Sequence, residues 1–164
     1  EVKNYINTND SKNIVAVDQS KSAINENIKL SNKLSKKIKF INCDFEKINK
    51  VYKKRVDFLY ARFFLHTINL RQENILIKLI NSIKINSDVK IVLEFRTSKD
   101  RMKNKGKVLS QNTSFTDHYR RFINVDDFLK KLKKNNFKVL YIKQGINLSK
   151  TKNDNPHLCR LVFE

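Results

Sequence analysis

Two histidines and four arginines are the side chains best equipped for chemistry in this chain. His66 closes the apolar stretch Phe63-Phe64-Leu65, and His118 sits in the polar run Asp117-His118-Tyr119-Arg120-Arg121. A neutral imidazole can take a proton near pH 7, so both are candidate general bases. His66 reads equally well as a hydrogen-bonded histidine of the core, whereas the company of His118 suggests a substrate site. Arg62, Arg96, Arg120 and Arg121 carry planar guanidinium forks that can clamp an anion bidentately, although solvated or structural arginines are commoner. Asp18 and Asp44 each end a short apolar run. His157 follows Pro156 in a loop and carries no assigned role. Cys43 and Cys159 lie in apolar segments without CxxC or Cys/His ligand spacing, which points to buried free thiols and to no metal site.

The elements that position these residues can be read from periodicity. Asn13–Asp18 is a β-branched run fit for a strand buried on both faces, and Ser20 can cap a helix reaching about Ser35, with Ala23, Ile24, Ile28 and Leu34 recurring near helical spacing. Ile38–Asn42 repeats the strand pattern and Phe45–Tyr52 reads as a short helix or loop. Val56–Tyr60 is the next strand, Asn74–Ile85 an amphipathic helix, and Val89–Phe95 a further buried strand. Arg96–Phe122 is polar and irregular, which predicts a long loop or lid. Val125–Lys134 is a helix with Asn124 as cap, Asp126 and Asp127 in the first turn and Asn135-Asn136 as the stop. Phe137–Lys143 and Leu158–Phe163 have no helix between them and should pair antiparallel. This order predicts an α/β fold, a mostly parallel sheet with helices on both faces and an antiparallel C-terminal hairpin at one edge, over a single domain, residues 1–164. In such sheets ligands bind beyond the carboxyl ends of the strands, where Asp18, Asp44 and Ala61-Arg62-Phe63 fall.

Composition narrows the setting. The chain has 164 residues, of which 40% are hydrophobic and 31% charged, enough apolar material for a core and too little length for two ordinary domains. Without an apolar run of roughly 20 residues or a secretory leader pattern, the expectation is a soluble, cytoplasmic protein with no membrane segment. The formal charge of +19 invites a nucleic-acid reading. Its lysines, however, are spread along the whole chain, and abundant Lys, Asn, Ile and Phe with 2 Gly and 1 Pro is what codon bias of a low-GC genome produces.

Taken together these segments resemble class I S-adenosylmethionine-dependent methyltransferases, the Rossmann-like three-layer sandwich. Val15-Ala16-Val17-Asp18-Gln19-Ser20 is similar to the family's second-strand motif, whose acid binds both ribose hydroxyls, and Asn42-Cys43-Asp44-Phe45 to its third-strand motif, whose acid accepts from the adenine amino group. Val56 to His66 resembles the fourth strand with its Leu-His exit, Val92-Leu93-Glu94-Phe95-Arg96 the fifth, and His118-Tyr119-Arg120-Arg121-Phe122 with Asn136-Phe137-Lys138-Val139 the family's tail, with Asn136 where Gly is usual. The resemblance implies S-adenosylmethionine as cofactor, held by Asp18, Gln19, Ser20, Asp44, Phe45, Ala61, Arg62 and His66. The lysines are scattered while the arginines gather near the strand ends and the 118 to 121 cluster, so the expected acceptor is a small molecule, held by Arg96, Tyr119, Arg120 and Arg121, with His118 and His66 as candidate bases.

One family feature is missing. The glycine-rich turn after the first strand has no counterpart, because the two glycines are Gly106 and Gly145. Glu1–Asn7 fits the tail of the helix that would follow that turn, so the expectation is a first strand absent by truncation. The alternatives are an RNA methyltransferase and a noncatalytic nucleic-acid-binding or pseudoenzyme domain on the same fold. No Asn-Pro-Pro-Tyr type signature follows the fourth strand, which disfavours methylation of base amino groups.

Overall fold

Short, largely apolar runs ending in polar residues become the parallel strands here. The computed structural model describes residues 13–33, 38–84 and 89–164, which cluster into two units dividing between Lys53 and Lys54. In the first unit β1 (Ile14–Asp18) and β2 (Ile38–Asn42) pair in parallel, with Asp18 opposite Asn42, and α1 (Lys21–Lys33) links them. Ser20 caps α1 as its residue type predicts, its Oγ accepting from the Ala23 amide at 3.2 Å. After β2 a 3₁₀ turn (Phe45–Lys47) leads into the short α2 (Ile48–Val51). Leu34, Ser35, Ile85 and the Glu1–Asn7 segment lie outside the described residues.

The second unit is built on β3 (Phe58–Arg62) and β4 (Lys90–Arg96), which are parallel and connected through α3 (Leu70–Lys84). The helix starts four residues before the predicted Asn74 because Asn69 and Gln72 form a reciprocal cap. The Gln72 amide donates to Asn69 Oδ1 at 2.9 Å and the Asn69 amide donates to Gln72 Oε1 at 3.1 Å. Helix α4 (Val125–Lys134) then leads to the hairpin of β8 (Val139–Gly145) and β9 (Leu158–Phe163). The sheet order is β3-β4-β9-β8, with β9 antiparallel to both neighbours, so the predicted hairpin lies at one edge. Asn136 has φ 59°, and the amides of Asn136 and Phe137 bond back to the carbonyls of Lys133 and Leu132, which explains why Asn135-Asn136 stops the helix.

The core sits where β4 and β9 meet α4. Ile91, Leu93 and Phe95 alternate along β4 and are fully buried together with Leu158, Leu161 and Phe163, and the Phe95 ring meets Phe128 of α4 edge-on at 5.6 Å. Cys159 is buried here, its thiol pushed up to about 12 by desolvation, so it is inert. The other face of β4 carries Glu94 and Arg96.

The predicted irregular stretch Arg96–Phe122 is more ordered than expected. It holds a small antiparallel sheet, β5 (Lys107–Ser110), β6 (Thr113–Phe115) and β7 (Tyr119–Arg121). These strands are three or four residues long and exposed along β5, where Val108 and Leu109 are adjacent, so they carry no apolar alternation for a sequence reading to detect. No described helix is long and apolar enough to cross a membrane.

Candidate functional site

In the second unit a cavity of about 250 Å³ opens at the carboxyl ends of β3 and β4. Its lining includes His66, Arg96, His118 and Arg120, all singled out by residue type, so sequence positions up to 54 residues apart converge on one place. Phe63, Thr67, Ser149, Thr151, Asp154 and Pro156 complete it. The last four belong to the β8–β9 connection, whose polar composition alone offered no signal of a site.

His66 lies on the 3₁₀ turn Leu65–Thr67 directly after β3 and is 4% exposed. Its Nδ1 accepts from the Arg96 amide at 3.3 Å. A backbone amide can only donate, so the ring proton resides on Nε2, which has no hydrogen-bond partner among the described residues. Burial, then the charge of Arg96, then that of Arg120, push the imidazole down to about 3, so it is neutral at pH 7. With its lone pair already engaged, His66 can act as a hydrogen-bond donor and not as a base. The depressed value also affects stability. The unfolded chain binds a proton below about 6.5 that the folded chain refuses down to about 3, so stability falls as pH drops through that window, by up to about 1.4 kcal/mol per pH unit. Urea unfolding between pH 7 and 5 should show this slope, and His66→Gln should flatten it; identical slopes would contradict the buried neutral ring.

His118 is arranged the opposite way. Its Nδ1 is 2.9 Å from Asp117 Oδ2, a carboxylate that accepts, so the neutral ring presents its lone pair on Nε2. Arg120 Nη1 donates to Asp117 Oδ1 at 2.7 Å and Thr116 Oγ1 donates to the same oxygen at 2.6 Å. These bonds, Arg120 first, hold the Asp117 carboxyl well below the usual carboxylate range. Arg96 donates from Nη1 to Asp100 at 2.9 Å and from Nη2 to Asp154, which also lies 3.6 Å from Arg101.

The remaining candidates are placed as follows. Arg62 and Glu94 are register partners on β3 and β4, as are Glu94 and Arg160 on β4 and β9, so the buried Glu94 accepts from Arg62 Nε and Arg160 Nε at 2.5 Å each. Ser149 adds a third bond at 2.9 Å, and the three together keep the Glu94 carboxyl below its ordinary range against the effect of burial. Ala61 precedes Arg62 at the end of β3, and the Arg62 guanidinium stacks 4.6 Å from the Phe63 ring. Phe63 has φ 52°, costly for an aromatic residue, while its amide donates to the Glu94 carbonyl at 2.8 Å. Strand alternation separates the tail arginines. Arg120 lines the cavity, while Arg121 is buried, donating to the Ile68 carbonyl at 3.1 Å and to Glu73 on α3. Tyr119 pairs with Phe115 and is not in the cavity lining.

In the first unit Asp18 and Asp44 stand at the carboxyl edge of neighbouring parallel strands. Asp18 is exposed; its Oδ1 accepts from the Ser20 amide at 2.7 Å and its Oδ2 has no partner among the described residues. Gln19 is exposed and its carbonyl accepts from Asn42 Nδ2 at 3.0 Å. Asp44 caps the 3₁₀ turn by accepting from the Glu46 amide at 3.0 Å, and Phe45 beside it is half-buried. Among the described residues no group of three His, Cys, Asp or Glu could hold a metal ion.

No protein-family model and no curated protein matches the sequence. The fold does match solved structures. A S-adenosylmethionine-dependent methyltransferase from Clostridium acetobutylicum superposes with a TM-score of 0.68 at 14% identity, over 93% of this chain and 75% of that one. A SAM-dependent methyltransferase from Methanosarcina mazei gives 0.70 at 10% identity, over 92% and 81%. Magnesium protoporphyrin IX methyltransferase from Synechocystis, with bound S-adenosylhomocysteine, gives 0.60 at 14%, over 93% and 64%. The chain therefore has the mixed α/β fold of these methyltransferases.

Proposed function

We propose that this protein is a cytoplasmic S-adenosylmethionine-dependent methyltransferase whose acceptor is a small molecule. The observation that supports this most is the pairing of a methyltransferase-like fold with acids at the strand ends where such a fold holds adenosine. The donor set suits the cofactor: Asp18, whose Oδ1 accepts from the Ser20 amide, keeps Oδ2 as an acceptor for ribose hydroxyls, and Asp44, followed in sequence by Phe45, offers a carboxylate for the adenine. When bound, S-adenosylmethionine supplies an electrophilic methyl group.

The protein's own groups then have limited work, because methyl transfer is an in-line displacement in which positioning supplies much of the rate. His118 Nε2 takes the proton of the acceptor, Asp117 holds the ring in that tautomer, and His66 Nε2–H orients the acceptor in the cavity. Arg121 and Arg62, committed to Glu73 and Glu94, support the walls instead.

Asp18→Ala removes the ribose acceptor. Hydrogen bonds to a charged group are worth about 1.5 to 3 kcal/mol each, so S-adenosylmethionine affinity should fall at least tenfold by calorimetry. Unchanged affinity would sink the assignment of Asp18.

A further inference from the structure

The cavity of the second unit carries charge, yet its charges are already matched. Arg96 faces Asp100 and Asp154, and Arg120 faces Asp117, so each guanidinium in the wall is already bound to a carboxylate. One of those carboxylates, Asp154, is itself in the wall. An acceptor entering as a carboxylate or phosphate would lose its hydration without finding a guanidinium free of a carboxylate partner in the wall, which is unfavourable. The groups left for a ligand are of complementary kind. His66 is 4% exposed, has its Nδ1 filled by the Arg96 amide, and keeps Nε2–H unpartnered as a donor. His118 gives Nδ1–H to Asp117 and keeps an Nε2 lone pair. The Phe63 ring, set edge-on to His66 at 5.7 Å, and Pro156 add apolar surface, and about 250 Å³ is below the range of drug-sized pockets.

We propose that the methyl acceptor is a small, neutral, unsaturated ring bearing an ionisable N–H or O–H beside a carbonyl, with the carbonyl accepting from His66 and the proton leaving to His118. This rests on the methyltransferase reading above. The heteroatom–hydrogen bond breaks and its proton moves to His118 Nε2. The freed pair on the heteroatom forms the new bond to the methyl carbon. The carbon–sulfur bond breaks with its pair on sulfur, leaving a neutral thioether, and His118 later returns the proton to water. The transient anion stands beside the imidazolium it created, so the site needs no standing positive excess.

The test pairs neutral lactams (2-quinolone, 2-pyridone, lumazine) with carboxylates of similar size (quinaldate, salicylate). Cofactor and acceptor binding are measured by calorimetry, and transfer with labelled S-adenosylmethionine. The expected result is binding and methylation of at least one neutral ring and of neither carboxylate. His66→Phe should raise the acceptor Kd and KM about tenfold with a smaller change in kcat, and His66→Gln, which keeps a donor, should restore most of the affinity. Cofactor binding with transfer to carboxylates, or to none of the neutral rings, overturns this proposal alone. No cofactor binding overturns the methyltransferase reading and this proposal with it.

Discussion

His118→Gln is expected to lower kcat for methyl transfer by about 10²- to 10⁴-fold, the range over which a positioned general base acts. Asp117 accepts a hydrogen bond from Nδ1–H of His118, and Asp117 is in turn held ionised by Arg120 and Thr116, so the Nε2 lone pair is fixed in place before any substrate arrives. Glutamine keeps the polarity of the position but accepts no proton. S-adenosylmethionine affinity should be unchanged in the variant, since no proposed cofactor contact is removed, and Asp117→Asn should lower kcat in the same direction and by less. A kcat within threefold of the parent would show that the acceptor ionises without help, and would leave His118 as a binding group.

Glu73→Ala is expected to destabilise the protein by about 3 to 5 kcal/mol, because it strips a buried carboxylate from Arg121, whose side chain is 10% exposed, as well as from the part-exposed Lys131. The Glu73 side chain is 3% exposed and accepts from Arg121 of β7 and Lys131 of α4, so one residue on α3 ties down both. For a domain of this size such a loss corresponds to a drop in Tm of about 6 to 20 °C. The exposed pair Arg55–Asp57 is the control: its side chains are 68% and 76% exposed, and Asp57→Ala should cost no more than about 1 kcal/mol despite a 2.7 Å contact. Equal losses in the two variants would mean that burial does not decide the strength of these pairs. The variant also bears on the site, since Arg121 anchors the strand on whose other face Arg120 reaches the cavity.

The parallel strands and main helices were legible because their signals are local. Ser20 and Asn124 cap helices as their types predict, and Ile91, Leu93 and Phe95 announce a buried strand by alternation. The start of α3 was readable too, in Asn69-Leu70-Arg71-Gln72, but the capping pair is polar and precedes the apolar stripe that draws the eye. The site was legible in its chemistry and not in its partners. His66, Arg96, His118 and Arg120 stand out by type, whereas Asp154, Ser149 and Pro156 come from the hairpin connection and reach the cavity through β9 lying beside β4, a long-range pairing with no local mark. The roles of the arginines depended on such pairings as well: the register that sets Arg62 opposite Glu94, and the strand face that turns Arg121 toward Glu73, convert two candidate anion clamps into structural ties.

The most direct measurement is methyl transfer from labelled S-adenosylmethionine, at physiological salt, to a mixture of small acceptors and to RNA in parallel with nucleic-acid binding. The charge of +19 will retain nucleic acid at low salt whatever the function, so salt is the discriminating variable. The predicted result is label in a small acceptor, none in RNA, and nucleic-acid binding that fades as salt rises. Label in RNA with tight, salt-resistant binding would contradict a small-molecule acceptor, and no label anywhere with no S-adenosylmethionine binding would contradict a methyltransferase.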